Sequence, residues 1–432
     1  MSDVDKHTFI LTDQSKSKIR LFGSNWLGEV AISGFWIVTI FIIFFVDLSS
    51  TKWLVVNVFI ALLRFFYYMM GMYYVTNLLE MAYSLLCHLG VTFLPLGYNF
   101  KTKPFGEWVI ITGATAGIGK AFAKEFASYG NKLLLISRNY SKLEDTKTEI
   151  QSTYDVEIDI LAIDFSKSNQ FYLDKLNSKL REVRKDNTRI ADDIAVLINN
   201  VGYLPYAYDT FTEAIERSRL KEPHKKYSKI MQESININCL SQFTMTAEIY
   251  PLILSKSRPG KKGVIISLSS YTGRTACPFW VTYTGCKGFN AAFSDSLSAE
   301  NKMTTNDVIF TTVHPMEVST EMAGAKWKNK YPIRCPPAET FVKSVCRQIG
   351  VKNKISGWWA HDIRENINRI IGPPGLYIFL WARYHKITMG RNRKLVNSWE
   401  SIKSKLVEKV SISIKKIQLS ISRSIPFSNS NK

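Results

Sequence analysis

The sequence contains few cysteines and no arrangement of residues typical of a metal site. Its six cysteines include no CxxC pair and do not cluster with the six histidines at a metal-ligand spacing. We therefore expect no metal, no disulfide framework, and reduced thiols in a protein that faces the cytosol. We also expect no cleavable signal peptide, because the first apolar run begins only at Val30, is too long for such a peptide and precedes no small-residue cleavage site.

A nucleic-acid recognition motif is absent too, although the chain carries 56 Lys and Arg residues against 36 Asp and Glu residues, a net charge of +20. Residues 383–432 hold 12 of the basic residues and only 2 acids, which gives this stretch half of the excess. Since the basic residues lie beside apolar segments, the charge indicates membrane lipids rather than nucleic acid as a partner. The 432 residues, 46% of them hydrophobic, exclude wholesale disorder and allow a large α/β domain with extensions.

Two hydrophobic runs lie in the first 100 residues, which we assign to an N-terminal membrane-anchor region, residues 1–100. Residues 30–46 carry no formal charge, and we predict a transmembrane helix over residues 30–48. Residues 53–79 are apolar and aromatic but include Arg64, so this stretch fits either a second span or a buried core helix. The basic body that follows favours the cytosolic side of the membrane.

From residue 106 onward, short apolar runs alternate with longer amphipathic ones. This pattern is typical of repeated βαβ units. We therefore predict an α/β fold, a Rossmann-like doubly wound parallel sheet, over residues 105–350. The predicted strands that bear on the site are residues 108–112, 132–137, 158–163, 194–198 and 264–268.

A glycine-rich turn, TGATAGIG at residues 112–119, joins the first strand to a helix. Glycines allow the backbone to bend tightly, to approach a pyrophosphate and to present free N–H groups at a helix N-terminus. A turn of this kind between a strand and a helix indicates a dinucleotide site. Its predicted cofactor contacts are Gly113, Thr115, Ala116, Gly117, Ile118 and Gly119.

Further predicted cofactor contacts follow the next three strands. The second strand is followed by Arg138, with no acid before Glu144. A ribose 2′-hydroxyl usually meets an acid, whereas a 2′-phosphate needs a cation, so Arg138 favours NADP(H) over NAD(H) as the cofactor. The alternative is that Arg138 is an ordinary solvated charge. Asp164 ends the third strand and is placed to touch the adenine, and Asn200 belongs to the NNVG segment that ends the fourth.

A candidate reactive pair, Tyr283 and Lys287, stands four residues apart, which places both side chains on one face of a helix. A free tyrosine has a pKa of about 10, and a nearby ammonium group lowers it. A solvated helix face is the alternative for this pair. Ser270, just after the strand of residues 264–268, is positioned to direct a hydroxyl into the ligand crevice of such sheets. Asn238 adds a polar group on an apolar segment, unless it only fills a helix interior.

Together these residues resemble the short-chain dehydrogenase/reductase superfamily over residues 105–350. The matching elements are TGATAGIG (112–119), NNVG (199–202), Asn238, Ser270 and YTGCK (283–287). Within the superfamily the chain looks most like the membrane-bound branch of very-long-chain 3-oxoacyl-CoA reductases and 17-beta-hydroxysteroid dehydrogenases of type 12. Segments outside the motifs support this branch, notably AETFVKSVCRQIG at residues 338–350.

The resemblance implies the NADPH-dependent reduction of a 3-oxoacyl-CoA in fatty-acid elongation, at the endoplasmic reticulum membrane with the catalytic domain facing the cytosol. Ser270 and Tyr283 would bind the substrate oxygen, and Tyr283 would give the proton. Lys287 would hold the nicotinamide ribose and lower the Tyr283 pKa, while Asn238 would anchor a water that refills the proton through Lys287. Other elongation enzymes and a second copy of the chain are the expected protein partners. A steroid or retinoid carbonyl reductase and a non-catalytic membrane scaffold are the alternatives.

The sequence departs from the superfamily pattern in several segments. Many relatives have Pro-Gly after the sixth strand, whereas here Pro315 precedes Met316, and we assign Val318 and Thr320 of this loop to cofactor contact. Residues 214–229 form a charged insertion, expected to be a solvated loop or helix extension, with a coenzyme A phosphate site as the alternative. We assign residues 351–390 to a hydrophobic extension, either interfacial or a lid, and residues 391–432 to a basic tail that either meets anionic lipids or stays solvated.

Overall fold

The computed structural model describes residues 54–93, 100, 107–184, 186–205, 210–221, 227–257, 262–304, 307–323, 331–370 and 383. The chain divides into two units, Met1–Thr76 and Asn77–Lys432, and the boundary falls inside one long helix. The transmembrane helix predicted at residues 30–48 and the basic tail at residues 391–432 lie outside the described residues.

The long helix, α1, runs from Leu54 to Phe93 and contains the second apolar stretch. Within the described part of the chain, no helix is both long enough and apolar enough to cross a membrane. Most of the large apolar side chains of α1 that the structure describes are exposed. Near its end, Ser84 Oγ donates a hydrogen bond to Asp362 Oδ2 at 2.8 Å, and Lys352 Nζ lies 3.3 Å from the same hydroxyl.

Seven parallel strands form one sheet in the order β3-β2-β1-β4-β5-β6-β7. They are β1 Trp108–Thr112, β2 Lys132–Ser137, β3 Ile158–Ala162, β4 Ile194–Asn199, β5 Gly263–Leu268, β6 Val308–Val313 and β7 Lys354–Ile355. The predicted Rossmann-like α/β fold is confirmed, and each of the five predicted strands differs from its observed bounds by at most one residue at an end. Because β1 lies between β2 and β4, the strand order reverses there, and a ligand crevice opens at the carboxyl ends of these strands.

Helices pack on both faces of this sheet. They are α2 Gly117–Ser128, α3 Tyr140–Gln151, α4 Asn169–Arg181, α5 Phe211–Lys221, α6 Tyr227–Ile235, α7 Ser241–Lys256, α8 Val281–Met303, α9 Ala338–Gln348 and α10 Trp359–Ile370. Short 3₁₀ turns lie at Ile190–Asp192, Tyr271–Gly273 and Glu321–Ala323, and a π-helical segment, Asn236–Leu240, joins α6 to α7.

The central strands are mostly apolar because alternate residues enter two different cores. On one face Ile111 of β1 belongs to a buried cluster with Phe126 of α2. On the other face Ile110 belongs to a cluster with Tyr172 of α4 and Met245 of α7. A sheet buried on both sides is rigid, and it fixes where its strand ends deliver side chains.

The sheet continues past residue 350, the end of the predicted reductase domain. Ile355 of β7 pairs with Val313 of β6, and α10 follows directly. Residues 354–370, which the sequence assigned to a hydrophobic extension, therefore add a strand and a helix to the sheet domain. The apolar run at residues 371–382 lies outside the described residues.

Candidate active site

The glycine-rich turn leaves no room for a side chain at its glycine positions. Gly113 and Gly117 adopt positive φ angles of +67° and +53°, a conformation that favours glycine. A Cβ atom on Gly119 would lie 2.2 Å from the Gly113 carbonyl oxygen and 2.4 Å from Asn200 Nδ2, which is a severe overlap. Helix α2 begins in this turn, so its unpaired N–H groups face the crevice, as an anionic pyrophosphate requires.

Asn200 holds this turn to β4. Its Nδ2 donates to the carbonyl oxygens of Thr112 at 2.9 Å and Gly113 at 3.2 Å, and its backbone N–H donates to Thr112 Oγ1 at 2.9 Å. The side-chain amide is thus committed to shaping the turn, and a contact with the cofactor itself stays a prediction.

The other predicted cofactor residues lie around the same crevice. Thr115 Oγ1 is 3.1 Å from Ser137 Oγ at the end of β2, and the next residue, Arg138, is exposed with no hydrogen bond or ion pair among the described residues. Asp164 Oδ1 accepts a hydrogen bond from Ser166 N at 3.0 Å. Their contacts with a cofactor stay predictions.

The loop after β6 returns to the glycine-rich turn. The methyl carbon of Thr320 would lie 3.0 Å from a Cβ on Gly117, so Thr320 borders the glycine-rich turn, and its contact with a cofactor stays a prediction. Val318 is buried in the hydrophobic core, which means that only its backbone could reach a cofactor.

Ser270 and Tyr283 meet at the carboxyl end of β5. Ser270 is the residue before the 3₁₀ turn Tyr271–Gly273, and its Oγ accepts a hydrogen bond from Thr272 N at 3.2 Å. The Ser270 side chain lies close enough to the Tyr283 hydroxyl to favour the ionised phenol. Both side chains are almost fully buried, at 8% and 9% exposure. The two donors therefore converge on one point, which is the geometry expected for binding a carbonyl oxygen.

The pKa of Tyr283 differs from the sequence-based expectation. Burial raises the pKa of this phenol to about 12, and the nearby Ser270 side chain lowers it only in part. Lys287 Nζ lies 5.7 Å from the ring centroid, but the expected lowering by this ammonium is not seen. The reason is that removal from water penalises the phenolate more than nearby polar groups favour it.

Lys287 is itself buried, with 3% exposure, and its Nζ donates to the Leu268 carbonyl oxygen at 2.6 Å. Burial lowers the pKa of this lysine to about 8. The spacing of Tyr283 and Lys287 thus places both on the buried face of α8, and the alternative of a solvated helix face is wrong.

Asn238 sits in the π-helical segment, where the backbone widens by one residue, a feature common at functional sites. Its Oδ1 accepts from Tyr203 N at 3.0 Å, and its Nδ2 donates to the carbonyl oxygens of Tyr203 and Ser234, each at 2.9 Å. Gly202 lies beside both Asn238 and Lys287, because a Cβ on Gly202 would be 3.4 Å from Asn238 Oδ1 and 3.7 Å from Lys287 Nζ.

A small cavity opens beside Tyr283. Its lining is mostly apolar and aromatic and consists of Pro205, Phe211, Ala214, Tyr227, Phe279, Trp280, Val281, Thr282 and Tyr283. Helices α5 and α6 place Phe211, Ala214 and Tyr227 in this lining. Ala214 and Tyr227 belong to the charged insertion, so part of the insertion lines the cavity. A coenzyme A phosphate site in the insertion stays untested.

Sequence reasoning missed the residues behind Ser270. His314 is buried, its Nδ1 lies 3.3 Å from the Ser270 carbonyl oxygen, and burial lowers its pKa to about 3. Glu317 pairs with Arg364 at 2.7 Å and Arg334 at 3.6 Å. The signal available in the sequence was the unusual His-Pro-Met-Glu after β6, where many relatives have Pro-Gly. In the described residues, no group of three or more His, Cys, Asp or Glu side chains is arranged to hold a metal ion.

Comparison with known proteins agrees with this geometry. The family model for short chain dehydrogenase matches residues 107–331, more than half of the chain. Very-long-chain 3-oxoacyl-CoA reductase of Rattus norvegicus is 33% identical over 300 residues, covering 69% of this chain and 84% of that protein. The Homo sapiens reductase of the same name is 31% identical over 311 residues, covering 72% and 89%.

A solved structure from work on 7beta-hydroxysteroid dehydrogenase stereoselectivity has the same fold, with a TM-score of 0.52 and 20% identity over 66% of this chain and 100% of that one. The chain therefore belongs to the short-chain dehydrogenase family, and its sequence is similar to those of very-long-chain 3-oxoacyl-CoA reductases.

Proposed function

We propose that this protein reduces 3-oxoacyl-CoA to 3-hydroxyacyl-CoA with NADPH in the elongation of fatty acids. The observation that carries the proposal is the convergence of the Ser270 and Tyr283 hydroxyls beside buried Lys287 and an apolar cavity. The names of the similar curated reductases identify the substrate class. An intact set of reactive residues argues against the alternative of a non-catalytic scaffold.

The crevice fits a dinucleotide. The turn that excludes a side chain at Gly119 allows a pyrophosphate to approach the N-terminus of α2. Exposed Arg138, with no described partner, is available for a 2′-phosphate, which supports NADP(H) over NAD(H). When bound, the cofactor supplies the hydride, and the chain supplies position and electrostatics.

The buried hydroxyls account for the proton step. Because burial raises the pKa of Tyr283 to about 12, its phenol is protonated at neutral pH, as a proton donor must be. Ser270 and Tyr283 donate to the substrate oxygen, so they stabilise the negative charge that develops there. Tyr283 then transfers its proton, and Lys287 is placed to replace it through the space that Gly202 leaves beside Asn238.

The cavity suits the apolar part of the substrate. Its lining is mostly apolar and includes the aromatic side chains of Phe211, Tyr227 and Trp280, which suits contact with an acyl chain.

We also place the enzyme at the endoplasmic reticulum membrane, with the catalytic domain facing the cytosol. The uncharged run at residues 30–46, the exposed apolar side chains of α1 and the basic residues 383–432 support contact with membrane lipids. Contacts with other elongation enzymes and with a second copy of the chain stay predictions from the resemblance.

The test is NADPH oxidation by membrane-reconstituted protein with 3-oxoacyl-CoAs of graded chain length, beside estrone. We expect the acyl-CoAs to be reduced, and we expect Tyr283→Phe to abolish turnover while it still binds NADPH. Tyr140→Phe, which removes a distant exposed hydroxyl, is the matched control. Turnover of the steroid alone would overturn the elongation function, and full activity of Tyr283→Phe would overturn the proton donor.

A further inference from the structure

Four polar side chains of α10 form one stripe. His361, Arg364, Glu365 and Asn368 occupy positions i, i+3, i+4 and i+7, which are neighbours on a helix surface. They lie about 90 residues beyond Ser270 in the sequence, outside all the motifs. Each of them contacts one of two segments beside Ser270, which are the loop after β6 and the 3₁₀ turn that follows Ser270.

Two members of the stripe hold the loop after β6. His361 Nδ1 accepts a hydrogen bond from Met316 N at 3.4 Å. Arg364 Nη1 donates to Glu317 Oε2 at 2.7 Å. Burial disfavours the Glu317 carboxylate, yet the Arg364 guanidinium holds the pKa of Glu317 below its usual range. The loop is thus fixed by a charged pair that is formed at neutral pH.

The other two members hold the 3₁₀ turn that follows Ser270. Arg274 Nη1 donates to Glu365 Oε1 at 2.6 Å, and Asn368 Nδ2 donates to the Tyr271 hydroxyl at 3.2 Å. The Glu365 side chain is only 13% exposed in this pair. Partial burial makes such a pair stronger and more directional than one on the open surface.

The two loops also bond to each other at Ser270. Tyr271 N donates to the Pro315 carbonyl oxygen at 3.0 Å, and Ser270 Oγ lies 3.5 Å from the same oxygen. The direction of the Ser270 hydroxyl therefore depends on both loops, and both loops depend on α10.

We propose that the polar stripe of α10 is a positioning clamp that keeps the Ser270 hydroxyl aimed at the substrate oxygen. The clamp residues are positioning residues, since they act through Ser270 and do not touch the reacting atoms. The inference rests on the proposed function for its kinetic consequence. Displacing a catalytic donor by about 0.5 Å is enough to lower turnover, so small shifts of these loops matter.

The kinetic test uses charge-removing variants of nearly equal shape, Glu317→Gln and Glu365→Gln. The control is Asp159→Asn on the edge strand β3, because Asp159 likewise bonds two cations, Arg184 and Lys179. We expect each clamp variant to lose about tenfold in kcat with KM changed less than about twofold, at a melting temperature equal to that of the control. An unchanged kcat, or an equal loss in Asp159→Asn, would overturn the clamp.

Two further measurements separate positioning from general damage. In a Ser270→Ala background, Glu365→Gln should cost less than about twofold of the residual kcat, whereas an undiminished tenfold loss would contradict action through Ser270. In the cofactor-free protein, both clamp variants should speed amide exchange at Tyr271 and Thr272 about tenfold relative to Asp159→Asn. Unchanged exchange would refute the clamp. The exchange measurement needs no substrate, so it tests the clamp even if the wild type reduces no 3-oxoacyl-CoA.

Discussion

Replacing Gly202 with alanine would place a methyl group next to both Asn238 and Lys287. The new Cβ would lie 3.4 Å from Asn238 Oδ1 and 3.7 Å from Lys287 Nζ, distances at which no neighbour has to move. A water bridging these two atoms would need to lie about 2.8 Å from each of them. Carbon and oxygen atoms do not approach much closer than about 3.3 Å, so the methyl group would compete with such a water for the space beside Gly202.

We therefore expect a loss of turnover without a loss of fold. A Gly→Ala change that fits its backbone usually stabilises a protein by about 0.4–1 kcal/mol through the unfolded state. Interrupting proton return to Tyr283 should lower kcat by about 10- to 100-fold, equivalent to about 1.4–2.7 kcal/mol in the barrier. NADPH affinity should not change, because the glycine-rich turn is not touched.

Steady-state reduction of a 3-oxoacyl-CoA measures kcat, and protein fluorescence and thermal melting measure NADPH binding and stability. Gly285→Ala is the matched control, because the same substitution on α8, two residues after Tyr283, meets nothing within 4 Å. If Gly202→Ala turned over as fast as Gly285→Ala, the proton would not pass through this space and the reasoning would be refuted.

Three other changes test separate parts of the site. Arg138→Ala should raise the KM for NADPH about tenfold and leave the KM for NADH unchanged. The control is Lys147→Ala on the neighbouring helix, which should change neither KM. Equal effects of Arg138→Ala on both cofactors, or any effect of the control, would argue against a 2′-phosphate contact. Burial lowers the pKa of Lys287 in the folded protein to about 8, whereas in the unfolded chain it is about 10.4. Between these pH values the unfolded chain therefore binds more protons than the folded protein, so the free energy of unfolding should rise with pH. Denaturant titrations should show that Lys287→Met removes the rise, and an unaltered slope would contradict the burial of a charged lysine. Burial lowers the folded pKa of His314 to about 3, so stability should fall as the pH drops from about 6.5 toward 3, and His314→Gln should flatten this acid limb in the same titrations.

The kinetic roles of the two loops around Ser270 also bear on how the substrate is recognised. The 3₁₀ turn and the loop after β6 support the donors, while helices α5 and α6 line the cavity on the other side of Tyr283. Chain-length preference should therefore respond to changes at Phe211 or Tyr227, and catalytic rate to changes at the clamp. We therefore expect different elements of the same domain to set specificity and catalytic rate.

Local sequence determined the parts of this protein whose geometry depends on neighbouring residues. The glycine-rich turn follows from residues 112–119 alone, since a tight turn between a strand and a helix needs glycine whatever surrounds it. The face shared by Tyr283 and Lys287 follows from a spacing of four on a helix. The alternation of apolar runs was likewise enough to predict the parallel sheet, because burial on both faces requires apolar residues along a whole strand.

Only the tertiary structure decided what depends on distant segments. The pKa of Tyr283 rises because several elements remove it from water, and no spacing in the sequence reports that desolvation. The insertion at residues 214–229 is charged in sequence, yet the packing of its helices turns Ala214 and Tyr227 toward the cavity. The pair Arg274–Glu365 joins residues 91 positions apart, so it exists only once the chain has folded α10 against the loops of the active site.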